Sequence, residues 1–312
     1  MGTWGPSLYS SDIASDLRTM IGAVPKLPFD DERVVEVLCD REAELANDPT
    51  NEDHSVFWLV LADQFEKRGV ASARVREKAI AIIDDGSDLA MLEKLGLQSA
   101  DLRKRAQALG QLRARLAAAA TVSRPRATLK APQPYVLEVA TLYACPTRGS
   151  AAINPHRGRK HFDGSPWISD GFRQFIILER GRAFDYLAWY QPIVTIATVT
   201  TKPSLQDARS DLWWRLETPK TCTPRHFKMT EIQPVGAVPI DFDKARARFP
   251  RSRRGICFLG WDGTAAAIND VSISDTMCSS THDWADLLAR GTLPTVGPAV
   301  MKSLREILVD TG

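Results

Sequence analysis

The hydrophobic period of this chain changes once, and that change restricts its architecture more than any other feature. Up to about residue 120, apolar residues recur at three- and four-residue spacing, the interval that lines one face of a helix. Ile13, Leu17, Met20 and Ile21 make one such face, Trp58, Leu61, Ala62 and Phe65 a second, and Val75, Ala79, Ile82 and Ile83 a third. Gly69, Gly86 and Gly96 follow helical runs where a left-handed residue ends a helix without a Cβ penalty. Ser87 and Ser99 are placed to cap the two helices that follow, the second carrying Leu102, Ala106, Leu109 and Leu116. These signals spell antiparallel helices joined by short connections.

Residues 121–134, with Pro125, Pro132 and Pro134, have a linker composition. Beyond them the period falls to two: Tyr135, Leu137, Val139, Thr141 and Tyr143 alternate with their neighbours, which predicts a strand. Further strands are expected at 174–178, 193–200, 232–240, 255–259 and 271–274, and helices at 204–214, 242–249, 283–290 and 298–309. The expected fold is α+β: an all-helical domain over residues 1–120, then a mostly antiparallel α+β domain over 135–312. A chain of 312 residues has the length for two such domains, each with its own core.

The longest uninterrupted apolar run, residues 56–62, is far shorter than the roughly 18 residues of a membrane-spanning helix. The first residues carry no basic-then-apolar leader, so a cytoplasmic location and no membrane partner are expected. Cys39, Cys145, Cys222, Cys257 and Cys278 are scattered and form no C-x-x-C pair, which predicts buried free thiols rather than a disulfide framework or zinc knuckle. The total of 40 Lys and Arg against 38 Asp and Glu conceals an asymmetry. Residues 1–118 carry 15 basic against 20 acidic side chains, a balance of −5, and the remainder balances at +7.

The opening MGTWG with the helix start at residues 12–16, the VFWLVLA run at 56–62 and the KAIAIIDDG run at 78–86 followed by Asp88-Leu89 resemble a bacterial domain of unknown function that begins with MGTWG. That resemblance covers about the first 110 residues and implies a fold but no catalytic residues. Trp4, between Gly2 and Gly5, reads as an aromatic anchor for the N-terminus. More loosely, residues 142–149 (LYACPTRG), 184–190 (FDYLAWY), 221–227 (TCTPRHF) and 269–274 (NDVSIS) resemble bacterial immunity proteins encoded beside polymorphic secreted toxins.

No stretch spells catalytic machinery: there is no glycine-rich phosphate loop, no G-x-S-x-G elbow and no H-E-x-x-H helix. His156, His161 and Asp163 lie among Arg157, Arg159 and Lys160, whose charges oppose a bound cation, so no metal or cofactor residues are assigned. Together with Arg148, the cations Arg157, Arg159 and Lys160 suit an anion better. Lys244, Arg246, Arg248, Arg251, Arg253 and Arg254 form the densest basic run, but no nucleic-acid-binding module accompanies them. Cys222 near His226, and Cys145 or Cys278 with His282, are spaced no more tellingly than chance would place a thiol and an imidazole.

Neighbours on a helix diverge by about 100°, so Trp213 and Trp214, read as helical, cannot both be buried on one face and offer a contact surface. The expected function is an immunity protein that neutralises a secreted toxin, such as a type VI secretion nuclease, by stoichiometric occlusion. Asp30, Asp31, Glu32, Glu36, Asp40, Glu42 and Glu44 are its candidate partner-binding acids, and Trp213 and Trp214 are further partner-binding candidates. The alternative is an enzyme acting on a nucleotide or phosphorylated substrate at the basic loop of Arg148, Arg157, Arg159 and Lys160.

Overall fold

The computed structural model describes residues 5–118, 125–149, 151–153, 165–217, 219–248, 272–276 and 300–309. The chain divides into two compact units, Met1–Lys130 and Ala131–Gly312. The fold is α+β, with an all-helical first unit and a second unit built on a mostly antiparallel sheet.

The first unit contains α1 (Asp12–Ile21), a 3-10 turn (Val24–Lys26), α2 (Asp31–Arg41), α3 (Ala43–Asn47), α4 (His54–Arg68), α5 (Ala73–Asp85), α6 (Ser87–Lys94) and α7 (Ser99–Ala118). The sequence spacing marks a single stripe on α4, yet every residue from His54 to Phe65 is buried. The reason is the apolar run 56–62, which covers all faces of the helix, so α4 becomes the axis on which α1, α3, α5, α6 and α7 pack. Gly69 ends it in the left-handed conformation, with φ 71°, as its position predicts. Gly86 and Gly96 also have positive φ, at 72° and 90°. Gly86, rather than Ser87, occupies the N-cap of α6.

Buried charge in this unit is matched. Arg105 on α7 donates two 2.8 Å bonds to the Asp88 carboxylate on α6, with side chains only 3% and 1% exposed. Residues 125–130, expected in a linker, are tied to the helices instead. Arg126 pairs with Asp31 at 2.7 Å and reaches the Phe29 carbonyl, and Leu129 N–H donates to the Lys26 carbonyl at 2.7 Å.

The second unit is a nine-stranded sheet among the described residues. Its strands are β1 (Thr141–Arg148), β2 (Ala151–Ala152), β3 (Gly171–Ala183), β4 (Leu187–Thr195), β5 (Trp214–Leu216), β6 (Lys220–Thr221), β7 (Gln233–Ala237), β8 (Ser272–Thr276) and β9 (Val300–Met301). The main path runs β2-β1-β3-β4-β5-β9, with β7 on β1 and β6 on β4; the β6–β8 pair alone is parallel among the described strands. Helices α8 (Pro224–Met229) and α9 (Phe242–Arg248) interrupt it. Alternation sends Leu142, Ile176, Leu178, Ile193, Trp214 and Leu216 to one core and Tyr143, Cys145, Phe175, Ile177, Tyr190 and Val194 to another, so both faces of the central strands are buried. Phe184 and Asp185, with φ 53° and 62°, turn the β3–β4 hairpin in the left-handed region that matches strand twist.

Four expectations need correction. The strand predicted over 135–143 begins only at Thr141, because Ala140 is left-handed at φ 53° and breaks the extended run. Residues 135–139 lie on the second core instead, with Val136 N–H donating to the Tyr190 hydroxyl at 2.8 Å and Glu138 N–H to the Tyr143 hydroxyl at 2.7 Å. The strand expected at 193–200 is β4, shifted to Leu187–Thr195. The helix expected at 204–214 is a 3-10 turn, Leu205–Arg209: a Ser204–Asp207 capping box starts it, and the Ser210 hydroxyl closes it on the Asp207 carbonyl at 2.6 Å, freeing the chain to enter β5. The helix expected at 298–309 is instead β9 followed by a 3-10 turn, Arg305–Ile307, whose first N–H is taken by the Ser303 hydroxyl at 3.3 Å. The strand expected at 255–259 and the helix at 283–290 lie outside the described residues.

Candidate functional site

The helical unit carries a surface trough built where α2 breaks into α3. Glu42, at φ −117° and ψ 51°, ends α2 and begins α3 in a single residue, so Asp40, Arg41, Glu42 and Glu44 crowd one corner. Helix α3 is short, and two α4 side chains satisfy its backbone: His54 Nδ1–H donates to the Leu45 carbonyl at 2.7 Å and Trp58 Nε1–H to the Ala46 carbonyl at 3.2 Å. The carbonyl can only accept, so neutral His54 carries its proton on Nδ1. Two Asx turns shape the next loop. Asp48 accepts from the Thr50 N–H and hydroxyl at 2.9 and 2.7 Å, and Asn51 accepts from the Asp53 N–H at 2.9 Å. The opposite wall is the end of α6, where the tight Gly96 turn leaves Leu95 50% exposed.

The trough encloses about 820 Å³. Ile13, Leu45, Met91 and Leu95 supply apolar surface, and around them stand five carboxylates, Asp40, Glu42, Glu44, Glu52 and Asp53, against two cations, Arg41 and Lys94. Among the described residues Asp40, Glu44 and Glu52 enter no ion pair. Burial, then the neighbouring Glu52 charge, raises the Asp53 carboxyl above the usual aspartate range. The Thr50 hydrogen bonds lower that of exposed Asp48. Burial lowers the His54 imidazole, against the opposing effect of its Leu45 bond.

The seven acids named from the sequence therefore separate. Asp40, Glu42 and Glu44 line the trough, whereas Asp30, Asp31, Glu32 and Glu36 do not. Asp30 caps α2 by accepting from Arg33 N–H at 2.7 Å, Asp31 accepts from Ala71 N–H at 2.6 Å besides holding Arg126, and Glu36 pairs with Arg33 at 2.8 Å. Glu32 is exposed in the first turn of α2. Sequence reasoning missed Glu52, Asp53, Ile13, Met91 and Leu95, which only tertiary packing brings there; Glu52 and Asp53 continue the acidic run and were the detectable part.

Trp214 cannot be a contact residue. It lies in β5, fully buried in the first sheet core, while Trp213, the residue before that strand, is half-buried; neither is helical. Arg148 ends β1 with its guanidinium donating to the Ser165 hydroxyl at 3.1 Å and the Pro166 carbonyl at 2.6 Å, so it stitches a loop. Arg157, Arg159 and Lys160, like His156, His161, Asp163 and Trp4, lie outside the described residues. On α9 the basic run is neutralised locally: Lys244 faces Asp241 at 3.6 Å, Arg246 faces Asp243 at 3.2 Å and Arg248 faces Glu306 at 3.0 Å. Arg251, Arg253 and Arg254 are outside the described residues.

Cys39, Cys145 and Cys222 are buried free thiols, and burial pushes the Cys222 thiol up to about 12, far from a nucleophilic thiolate. Cys257, Cys278 and His282 are outside the described residues. Among the described residues no three His, Cys, Asp or Glu side chains are grouped to hold a metal ion, and no helix is long and apolar enough to cross a membrane.

A second cleft, of about 430 Å³, lies between residues 6–9, α4 and α7. Its floor is Asp63, which binds the Tyr9 hydroxyl, Lys67 at 2.6 Å and Arg115 at 2.5 Å, while Gln64 donates to Tyr9. Burial and the Asp63 bond raise the Tyr9 hydroxyl, which stays protonated and pins the N-terminal segment to α4. Compared with protein families, with curated proteins and with solved structures, the chain matches none.

Proposed function

We propose that this protein is a cytoplasmic immunity protein that neutralises a secreted bacterial toxin, of the kind delivered by type VI secretion, through stoichiometric occlusion. The acid-rimmed trough on the helical unit carries the reading, because it presents excess negative charge beside exposed apolar surface. A toxin that acts on nucleic acid needs a basic face to hold phosphates. Carboxylates facing it steer encounter from a distance, and apolar contact at the centre then slows release.

The experiment is to mix the purified chain with the product of each gene adjacent to its own and to co-express each pair in cells. The proposal expects a one-to-one complex and protected growth, with association slowed by salt. Absence of both complex and protection contradicts it.

A further inference from the structure

The trough also narrows the chemistry of what it holds, an inference that rests on the binder reading above. Outside the trough the surface acids of the helical unit are mixed: Glu36 has Arg33 at 2.8 Å, Asp84 has Arg113 at 2.5 Å and Asp101 has Lys104 at 2.8 Å, whereas the scattered Glu32, Glu77 and Glu93 enter no ion pair among the described residues. In the trough Asp40, Glu44 and Glu52 enter no ion pair among the described residues, and here such acids are gathered together around a half-exposed leucine. The local charge is therefore left for something outside the chain to balance.

An apolar floor inside an acidic rim selects against most occupants. An anion or a nucleic-acid backbone is repelled by five carboxylates set against two cations. A wholly apolar segment would strip water from those carboxylates and give nothing back. A uniformly basic segment satisfies the rim but leaves the exposed surface of Leu95, and the partly exposed Met91 and Ile13, uncovered. We propose that the trough docks a short amphipathic segment of a partner protein, with apolar side chains on its buried face and lysines or arginines on its flanks. The apolar face seats on Leu95, just after α6, with Met91 on α6 and Ile13 on α1; the flanking cations reach Asp40, Glu44 and Glu52. Asp53, whose charge is disfavoured by burial and by Glu52, is relieved by the same cations.

The test uses the full chain and three synthetic helix-forming peptides read by fluorescence anisotropy: one with leucines on one face and lysines on the other, one with lysines but polar residues in place of leucines, and one with leucines and glutamates. The leucine–lysine peptide is expected to bind at least about tenfold more tightly than the lysine peptide, and the leucine–glutamate peptide not to bind. Leu95→Gln removes that tenfold preference and leaves the lysine peptide unaffected, whereas Glu44→Lys weakens both cationic peptides. Both positions are exposed, and unchanged circular dichroism shows that the variants fold. Equal binding of the two cationic peptides, an unaltered preference in Leu95→Gln, or no binding overturns the proposal. The adjacent gene product separates this from the broader reading: if it binds wild type and Leu95→Gln alike, occlusion stands and the docking assignment falls. If the peptide preference holds and the gene product fails to bind, the docking stands and the toxin reading falls.

Discussion

The two units put charge in different places. In the helical unit the deeply buried charges are paired, Arg105 with Asp88 and Asp63 with Lys67 and Arg115, and five carboxylates gather in one surface trough. In the sheet unit several cations are drawn inside: Arg173, Arg215 and Lys220 are each less than 9% exposed, with Glu217 against Arg215 and Lys220. Burial, then the nearby Arg173, lowers the Arg215 guanidinium to about 10. Part of the formal charge of +7 over the second part of the sequence is thus withdrawn from the surface. The unmatched acids of the first, whose balance is −5, are at the surface.

Cutting one matched pair is the most severe way to probe this contrast. Arg105→Ala leaves Asp88 buried without its cation and is expected to cost about 3–5 kcal/mol of stability, measured by urea unfolding. Replacing both residues with apolar side chains of similar volume is expected to recover most of that loss. In the sheet unit the sensitive point is packing: a Cβ on Gly181 would collide with the Trp189 indole, so Gly181→Ala is expected to cost about 1–3 kcal/mol, read by tryptophan fluorescence in denaturant.

A smaller effect belongs to His54. Its folded-state pKa lies below the unfolded value of 6.5, so the unfolded chain takes the proton first. Stability is therefore expected to fall as pH drops through about 6.5, and to level off once the folded pKa is passed, by at most about 1.4 kcal/mol per pH unit. The groups around it are Lys78 on α5, Asp48 in the preceding loop and the Leu45 carbonyl on α3. His54→Gln should flatten the unfolding midpoint against pH. The smallest effect is expected from Glu36→Gln, which removes an exposed ion pair away from the trough and should alter neither stability nor partner binding measurably.

Helix ends were the most legible part of the sequence, because a glycine at a left-handed terminus acts locally; Gly69 and Gly86 sit at the caps their positions predict. Burial was less legible: four residues of α4 read as a stripe, but α1, α3, α5, α6 and α7 all pack on the helix and bury every residue from His54 to Phe65. The strand boundaries failed where a single residue overrides a pattern, as Ala140 does before β1 and the Ser204–Asp207 box does before β5. For the site, acidity was visible in Asp40, Glu42 and Glu44, but the trough joins residues from Ile13 to Leu95 across four stretches of chain. Nothing local distinguishes Glu44, which lines it, from Glu36, which is neutralised by Arg33 one turn away.

The most direct measurement of the central claim is the association rate of the adjacent gene product with the wild-type chain and with the Glu44→Lys, Glu52→Lys double variant, as a function of ionic strength. Acidic steering through the trough requires a wild-type rate that falls steeply with salt and a variant rate that is slower at low salt and nearly flat. Indistinguishable salt dependences in the two proteins would contradict it.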